Sequence, residues 1–270
     1  MPESSPCRPL PPHPVLPAYY RDPADRQRWV NAAFDRNARH YRRIDWVVSL
    51  GTGGRYRRQA LRRAGLRPGM RVLDVAVGSG PLARAARAVL EGSAGLVLGL
   101  DPSLGMLVAS RDPSAGAGGP AIRLLGGIAE ALPVADGSFD FLSMGYGLRH
   151  VADLRAAFGE YHRALRPGGL LVILEMSRPG SRLGQTLLRL YLRGLVPRLV
   201  RLATGSAQAG RLMRYYWETV DRCVAPDVIM EALAAAGFRE VRRQAIGGVL
   251  SEFRARRGPA PLGRGVQFQG

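Results

Sequence analysis

Asp74 is separated by three apolar residues from Gly78-Ser79-Gly80, and a helix-forming run follows from Pro81 to Leu90. Two glycines around a serine, at the junction of a strand and a helix, let backbone N–H groups approach a nucleotide-like ligand. Asp101 stands about 20 residues beyond the turn, where a carboxylate meets ribose hydroxyls. Gly78-x-Gly80-x-x-Ala83 also matches a dinucleotide fingerprint. Asp74 points away from that ligand, because a carboxylate beside the turn opposes a pyrophosphate. It suits a ligand with a cationic end, such as the ammonium and sulfonium of S-adenosylmethionine. The competing structural role for Asp74 is to tie down loop amides at the strand end.

These residues need an alternating framework to hold them. Strands are expected at 71–76, 96–100, 122–125, 138–144 and 170–174, with helices at 81–91, from Ser103, and at 152–165. Continuous apolar strands that alternate with helices belong to a parallel sheet covered on both faces. The fold class is therefore α/β, a doubly wound Rossmann-like sheet with N-terminal helices and an inserted helical cap, closed by antiparallel C-terminal strands at 238–243 and 249–254. Turns are expected at 66–69, 116–120 and 165–169. The organisation reads as a Pro-rich disordered lead-in (1–23), a helical cover (24–66), a ligand-binding core (67–178), a helical substrate cap (179–225), a closing helix and strands (226–256), and a tail (257–270). Within the cap, Pro197 kinks or divides the leucine- and arginine-rich run 181–203.

Composition narrows the class. The chain has 270 residues, 46% of them hydrophobic, and a net charge of +18 carried by 39 arginines and no lysine. Coding bias accounts for arginine over lysine but not for the scarcity of acids, so attraction to an anionic surface is expected. Cys7 and Cys223 make no disulfide framework, and no two of the four histidines have zinc-ligand spacing, so no metal is expected. No secretory signal and no spanning apolar run is visible. The expected location is cytoplasmic, with peripheral attachment to the inner membrane face.

Several blocks carry a resemblance to a known family. They are Ser49-x-Gly51 with Arg55-Tyr56-Arg57, Asp74-Val75-Ala76-x-Gly78-Ser79-Gly80, Gly145-Tyr146-Gly147-Leu148-Arg149-His150-Val151, Leu174-Glu175-Met176-Ser177-Arg178-Pro179 and Tyr215-Tyr216-Trp217-Glu218-Thr219. Together, from about Val30 to about Phe238, the chain resembles class I S-adenosylmethionine-dependent methyltransferases, and within them the UbiE family of ubiquinone and menaquinone biosynthesis C-methyltransferases.

The resemblance implies S-adenosylmethionine as cofactor, held by Asp74, Gly78, Ser79, Gly80, Asp101, Met106, Ile128, Ala129 and Gly145. It implies a lipophilic quinol or other phenolic substrate, with Tyr146, Glu175, Tyr191, Tyr215 and Tyr216 in its pocket. Arg149 would stabilise developing phenolate charge and His150 would act as general base; the competing roles are an ion pair for Arg149 and a cap or loop contact for His150. Glu175 would contact substrate or pair with an arginine. The leucines of 181–203 would either wall an isoprenoid tail and rest on lipid or pack the cap on the core. Association with an anionic membrane, a biosynthetic complex or a second copy as a homodimer is compatible with this reading.

The chain departs from the family pattern at four places. Pro81 replaces an acid after the glycine turn, Ile128 replaces a polar residue before Ala129-Glu130-Ala131-Leu132-Pro133, and His150 replaces an asparagine. The family's His-x-Gly-x-Lys-like end is absent near Ser251-Glu252-Phe253-Arg254. Losing one hydrogen bond at Ile128 corresponds to about 0.5–1.5 kcal/mol. Two alternatives stay open: a paralogue acting on another phenolic or polyketide-like compound, and a cofactor-poor binding protein of the same fold acting on RNA or membrane. No nucleic-acid module is recognisable, so nucleic acid is the least favoured partner.

Overall fold

The computed structural model describes residues 8–111 and 121–258. Cys7, the expected loop 116–120 and the tail from 259 onward lie outside the described residues.

Strict alternation of side chains organises the sheet. In β1 (Arg71–Val75), Val72 faces one side, and Leu73 and Val75 face the other. The first side packs beneath two helices, α2 (Gly53–Arg63) and α3 (Pro81–Val89), and the second beneath α5 (Leu154–Ala164) and α9 (Pro226–Ala235). Seven strands run in the order β3-β2-β1-β4-β5-β7-β6. β2 is Leu96–Asp101, β3 Ile122–Gly126, β4 Phe139–Gly145, β5 Leu165–Met176, β6 Phe238–Ile246 and β7 Leu250–Arg257. The first five strands are parallel, while β7 runs antiparallel to β5 and β6. The Rossmann-like sheet with antiparallel closing strands is thus present. Residues 165–169, expected as a turn, instead begin β5, because Leu165 pairs with Phe139 before a register shift.

A third apolar cluster lies off the sheet. It joins α1 (Pro23–Ser49) to α6 (Arg182–Arg189), a π-helical stretch at Leu190–Leu195, α7 (Val196–Thr204) and α8 (Ala207–Asp221). The run is helical without a break from Arg182 to Thr204, and Pro197 divides it, as expected, into α6 with its π-helical extension and α7. Pro197 stands in the first turn of α7. Because the residues before it are helical too, its missing N–H withholds a bond from the preceding turn, so the irregularity falls on the π-helical stretch just before it.

The lead-in is not disordered over its described part. Leu16 is fully buried and Tyr20 nearly so, both against Val30 and Ala33 of α1. The Leu10 N–H donates to Asp153 Oδ1 at 3.0 Å, and Pro12 O accepts from the Val224 N–H at 2.8 Å. His13 Nε2 lies 2.9 Å from Arg26 Nη2. Arginine can only donate, so Nε2 accepts, and Nδ1–H donates to Pro14 O at 2.8 Å. Burial and the Arg26 charge lower the His13 pKa to about 4, which keeps it in this neutral form. Proline-rich composition signals an extended chain, not an unpacked one.

Candidate active site

The C-terminal ends of β1, β2 and β4 open into a cavity of about 780 Å³, within the usual range for small-molecule sites. Val75 to Ser79, Leu100 to Ser103 and Gly145 to Gly147 form one part of its wall. The glycine turn is held from below. The Gly78 N–H donates to Asp101 Oδ2 and the Ser103 N–H donates to Asp101 Oδ1, both at 2.9 Å. Gly78 and Gly80 have φ of 55° and 82°, which favour glycine in this turn. Ser103 caps α4 (Leu104–Ser110) by accepting from the Met106 N–H, and its own hydroxyl donates to Asp35 Oδ1 at 2.6 Å. Asp35 belongs to α1, so the N-terminal helix closes this corner.

Close backbone approach continues across the strand ends. A Cβ on Gly147 would stand 2.6 Å from the Ala76 Cβ. Tyr146 takes a positive φ of 60°, and its N–H donates to Leu174 O at 2.7 Å. A non-glycine residue held so costs of order 1–3 kcal/mol, a strain that concentrates at functional sites.

Burial sets the charges. Desolvation raises the Asp101 pKa to about 6 and the Asp74 pKa to about 7. Asp74 does not line the cavity. It lies on the α3 side of β1, accepting from Ser143 Oγ at 2.7 Å, and its Oδ2 faces the first turn of α3 without a well-aligned hydrogen bond. His150 lines the cavity with Nδ1 3.3 Å from Tyr215 Oη. Its pKa falls well below the usual value, through desolvation and then the Arg149 and Arg26 charges, so the imidazole is neutral.

The rest of the wall comes from the helical cover and cap: Phe34, Tyr41 and Ile44 of α1, then Leu188, Tyr191, Met213 and Tyr216. One ion pair interrupts these largely apolar surroundings. Arg57 of α2 donates to both Asp45 carboxylate oxygens, its Nη1 at 3.0 Å from Oδ2, and its guanidinium lies 5.7 Å from the Tyr146 ring centre.

Comparison with known proteins places this architecture. The profile of the ubiE/COQ5 methyltransferase family matches residues 22–256. The chain is 36% identical over 205 residues to the demethylmenaquinone methyltransferase of Thermus thermophilus, covering 76% of this chain and 90% of that one. The chain belongs to the ubiE/COQ5 methyltransferase family. The demethylmenaquinone methyltransferase of Mycolicibacterium paratuberculosis is 35% identical over 236 residues, 86% of this chain and 95% of that one. Among solved structures, a methyltransferase from Thermotoga maritima, described as a possible histamine N-methyltransferase, superposes with a TM-score of 0.57 at 22% identity. That match covers 83% of this chain and 98% of the other and speaks to the fold. The protein is a methyltransferase, and its methyl donor is S-adenosylmethionine.

The cradle of this methyltransferase fits that cofactor. Ser79 Oγ is buried on the cavity wall without a hydrogen-bond partner, and the Asp101 carboxylate lines the same wall. Of the residues expected at the cofactor, Gly78, Ser79, Asp101, Met106, Ile128, Ala129 and Gly145 line the cavity. Asp74 and Gly80 lie outside that lining: Asp74 accepts from Ser143 on the α3 side of β1, and Gly80 is the left-handed residue that leads into α3. Tyr146, Tyr191 and Tyr216 line the cavity too, whereas Glu175 and Tyr215 do not. Tyr215 is fully buried, with its ring near Trp29, Tyr19 and His150.

Arg149 is also off the wall. Fully buried, it pairs with Glu175 and donates to Thr219 Oγ1 at 2.8 Å. The guanidinium that the resemblance placed on substrate is therefore spent inside the protein, because a desolvated charge must be paired to stay buried. Asp45, Tyr41 and Phe34 were not singled out as site residues. The apolar periodicity of α1 shows an amphipathic helix but not that it roofs a cavity, and nothing local to Asp45 marks it as the partner of Arg57.

Proposed function

We propose that this methyltransferase methylates a ring carbon of a polyprenylated quinol, with a demethylmenaquinol-type naphthoquinol as the leading substrate class and a benzoquinol as the second. One observation carries this reading: a single cavity joins the glycine turn to an apolar chamber made by α1 and the cap. Family relatives named as demethylmenaquinone methyltransferases support it.

S-adenosylmethionine, when bound, supplies a methyl group already activated on a cationic sulfur. Gly78, Ser79 and Asp101 would hold it at the strand ends, with Met106, Ile128 and Ala129 beside it. The chain's remaining task is to orient a nucleophilic ring carbon and take up the ring hydroxyl's proton. Once that carbon has bonded the methyl group, its own hydrogen leaves as a proton and the oxygen is reprotonated, so one proton is released per methyl transferred. His150, neutral throughout the physiological range, accepts the hydroxyl proton at Nε2 when Nδ1–H donates to Tyr215 Oη. The nearby Arg149 and Arg26 charges make the protonated ring short-lived, so the proton passes on to solvent. The Asp45–Arg57 pair orients the other polar edge of the ring, while Tyr146, Tyr191 and Tyr216 enclose it. Arg149 acts as a positioning residue through Glu175 and Thr219. The working location is the cytoplasmic face of the membrane, where such a substrate resides.

Mass spectrometry of quinones from a strain lacking this chain tests the assignment. The expected result is a precursor 14 Da lighter (one CH₂), converted back by the wild-type chain. His150→Ala should lower kcat by about 10²-fold or more, and Asp45→Asn should mainly raise KM. An unchanged quinone pool, with the purified chain still binding S-adenosylhomocysteine, would transfer the activity to a different phenolic substrate.

A further inference from the structure

We propose that α6 and the adjoining π-helical stretch form a docking face for an anionic phospholipid bilayer, set around the mouth of the cavity. Leu183, Leu187 and Leu190 are 70%, 57% and 63% exposed. Their spacing puts all three on one line of the helix surface. Single exposed leucines are ordinary, but an aligned apolar stripe on a protein surface marks a contact. The tip of α1 extends it, since Leu50 and Trp46 are also exposed and the Tyr191 hydroxyl donates to Val48 O at 3.2 Å across the two elements. Leu50 and Leu187 line the cavity as well as facing outward, so the stripe borders its opening.

Charge identifies the occupant. A second cleft of about 450 Å³ opens beside the stripe, with Arg178, Arg182, Arg189 and Arg193 in its wall. Arg182, Arg189 and Arg193 recur at helical spacing next to the leucines. Among the described residues, none of these three has a carboxylate within ion-pair distance, and Arg178 has only Asp221 at 3.7 Å. Unpaired guanidiniums in a cleft suit phosphodiester head groups, and leucines beside them suit the acyl layer just beneath. A second copy fits poorly, because a two-fold contact would set the arginines of both copies against each other. Each arginine near an anionic surface favours partitioning by about fivefold. Delivery of a prenyl tail from the bilayer through this mouth rests on the quinol reading above, whereas the face itself does not.

The test is co-sedimentation of the full chain with vesicles of phosphatidylcholine alone, or of phosphatidylcholine with phosphatidylglycerol, at low and high salt. The wild type should sediment only with the anionic vesicles and be weakened by salt. Arg182→Glu with Arg189→Glu should reduce partitioning by about 25-fold or more, and Leu183→Ser with Leu190→Ser by about tenfold. Neither pair lines the main cavity, so S-adenosylhomocysteine binding and turnover of a tail-less quinol should stay at wild-type values. Equal partitioning into both vesicle types, or variants that bind as the wild type does, overturns the face. So does light scattering in which the leucine variants only dissociate a dimer. Vesicle binding without turnover of any quinol would sink the substrate reading and leave the face standing; turnover of the tail-less quinol without vesicle binding would do the reverse.

Discussion

Arg149 Nε donates to Glu175 Oε1 at 2.9 Å, and neither side chain is more than 1% exposed. The pair links the turn after β4 to the end of β5. The same guanidinium also reaches α8, through Thr219 and by lying 4.2 Å from the Tyr216 ring centre. One buried ion pair thus fixes the relative positions of His150 and Tyr216, both on the cavity wall.

Arg149→Met leaves the Glu175 carboxylate buried and unpaired. Urea denaturation should show a loss of about 3–5 kcal/mol. Adding Glu175→Leu to that variant should recover most of this loss, because two apolar groups need no mutual compensation. The double variant should retain S-adenosylhomocysteine binding while kcat falls, as expected when positioning at the substrate end is lost. Full activity in the stable double variant would refute a positioning role.

Asp74 gives a pH prediction. Its folded pKa of about 7 lies above the ordinary carboxylate value of 3.8 through desolvation. Between those values the folded chain holds a proton that the unfolded chain has released. Its contribution is therefore fully present at low pH, is lost as pH rises through this window, and levels off above about 7. Asp74→Asn removes this dependence. The stability difference between variant and wild type should shift in the variant's favour by about 1.4 kcal/mol per pH unit from pH 5 towards 7, read from chemical denaturation curves.

Gly147→Ala would place a methyl carbon 2.6 Å from the Ala76 Cβ, so two strand-end loops must separate. Thermal melting should report a loss of about 1–3 kcal/mol. Calorimetry should show weaker S-adenosylhomocysteine binding even at temperatures where the variant is folded. Unchanged affinity would mean that the close approach serves packing alone.

Leu16→Ala tests the N-terminal segment as structure. A fully buried leucine cut to alanine typically loses about 2–5 kcal/mol. A free lead-in would show no change in the urea midpoint.

Much of the fold was legible because its signals are local. The apolar runs at Val72 and Leu170–Leu174, the glycine turn at 78–80 and the capping Ser103 each state their conformation within a few residues. Their order along the chain then implies a parallel sheet, and the glycine turn with Asp101 locates the cofactor end. Pairing was not legible in this way. Arg149 and Glu175 stand 26 residues apart, and Asp45 and Arg57 belong to different helices. Sequence alone does not say which arginine is desolvated against which acid, since that depends on how the strand ends and the cap enclose them.

The amino-acid sequence therefore determined the alternating sheet, the glycine turn and the family to which the chain belongs. Only the tertiary structure decided that Arg149 leaves the cavity for Glu175, that Asp45 and Arg57 enter its wall, and that the Pro-rich segment is packed from Leu10 to Tyr20. The physical reason is common to all three. Backbone conformation follows from neighbouring residues, whereas burial, and with it the charge a side chain can keep, is set by segments distant along the chain.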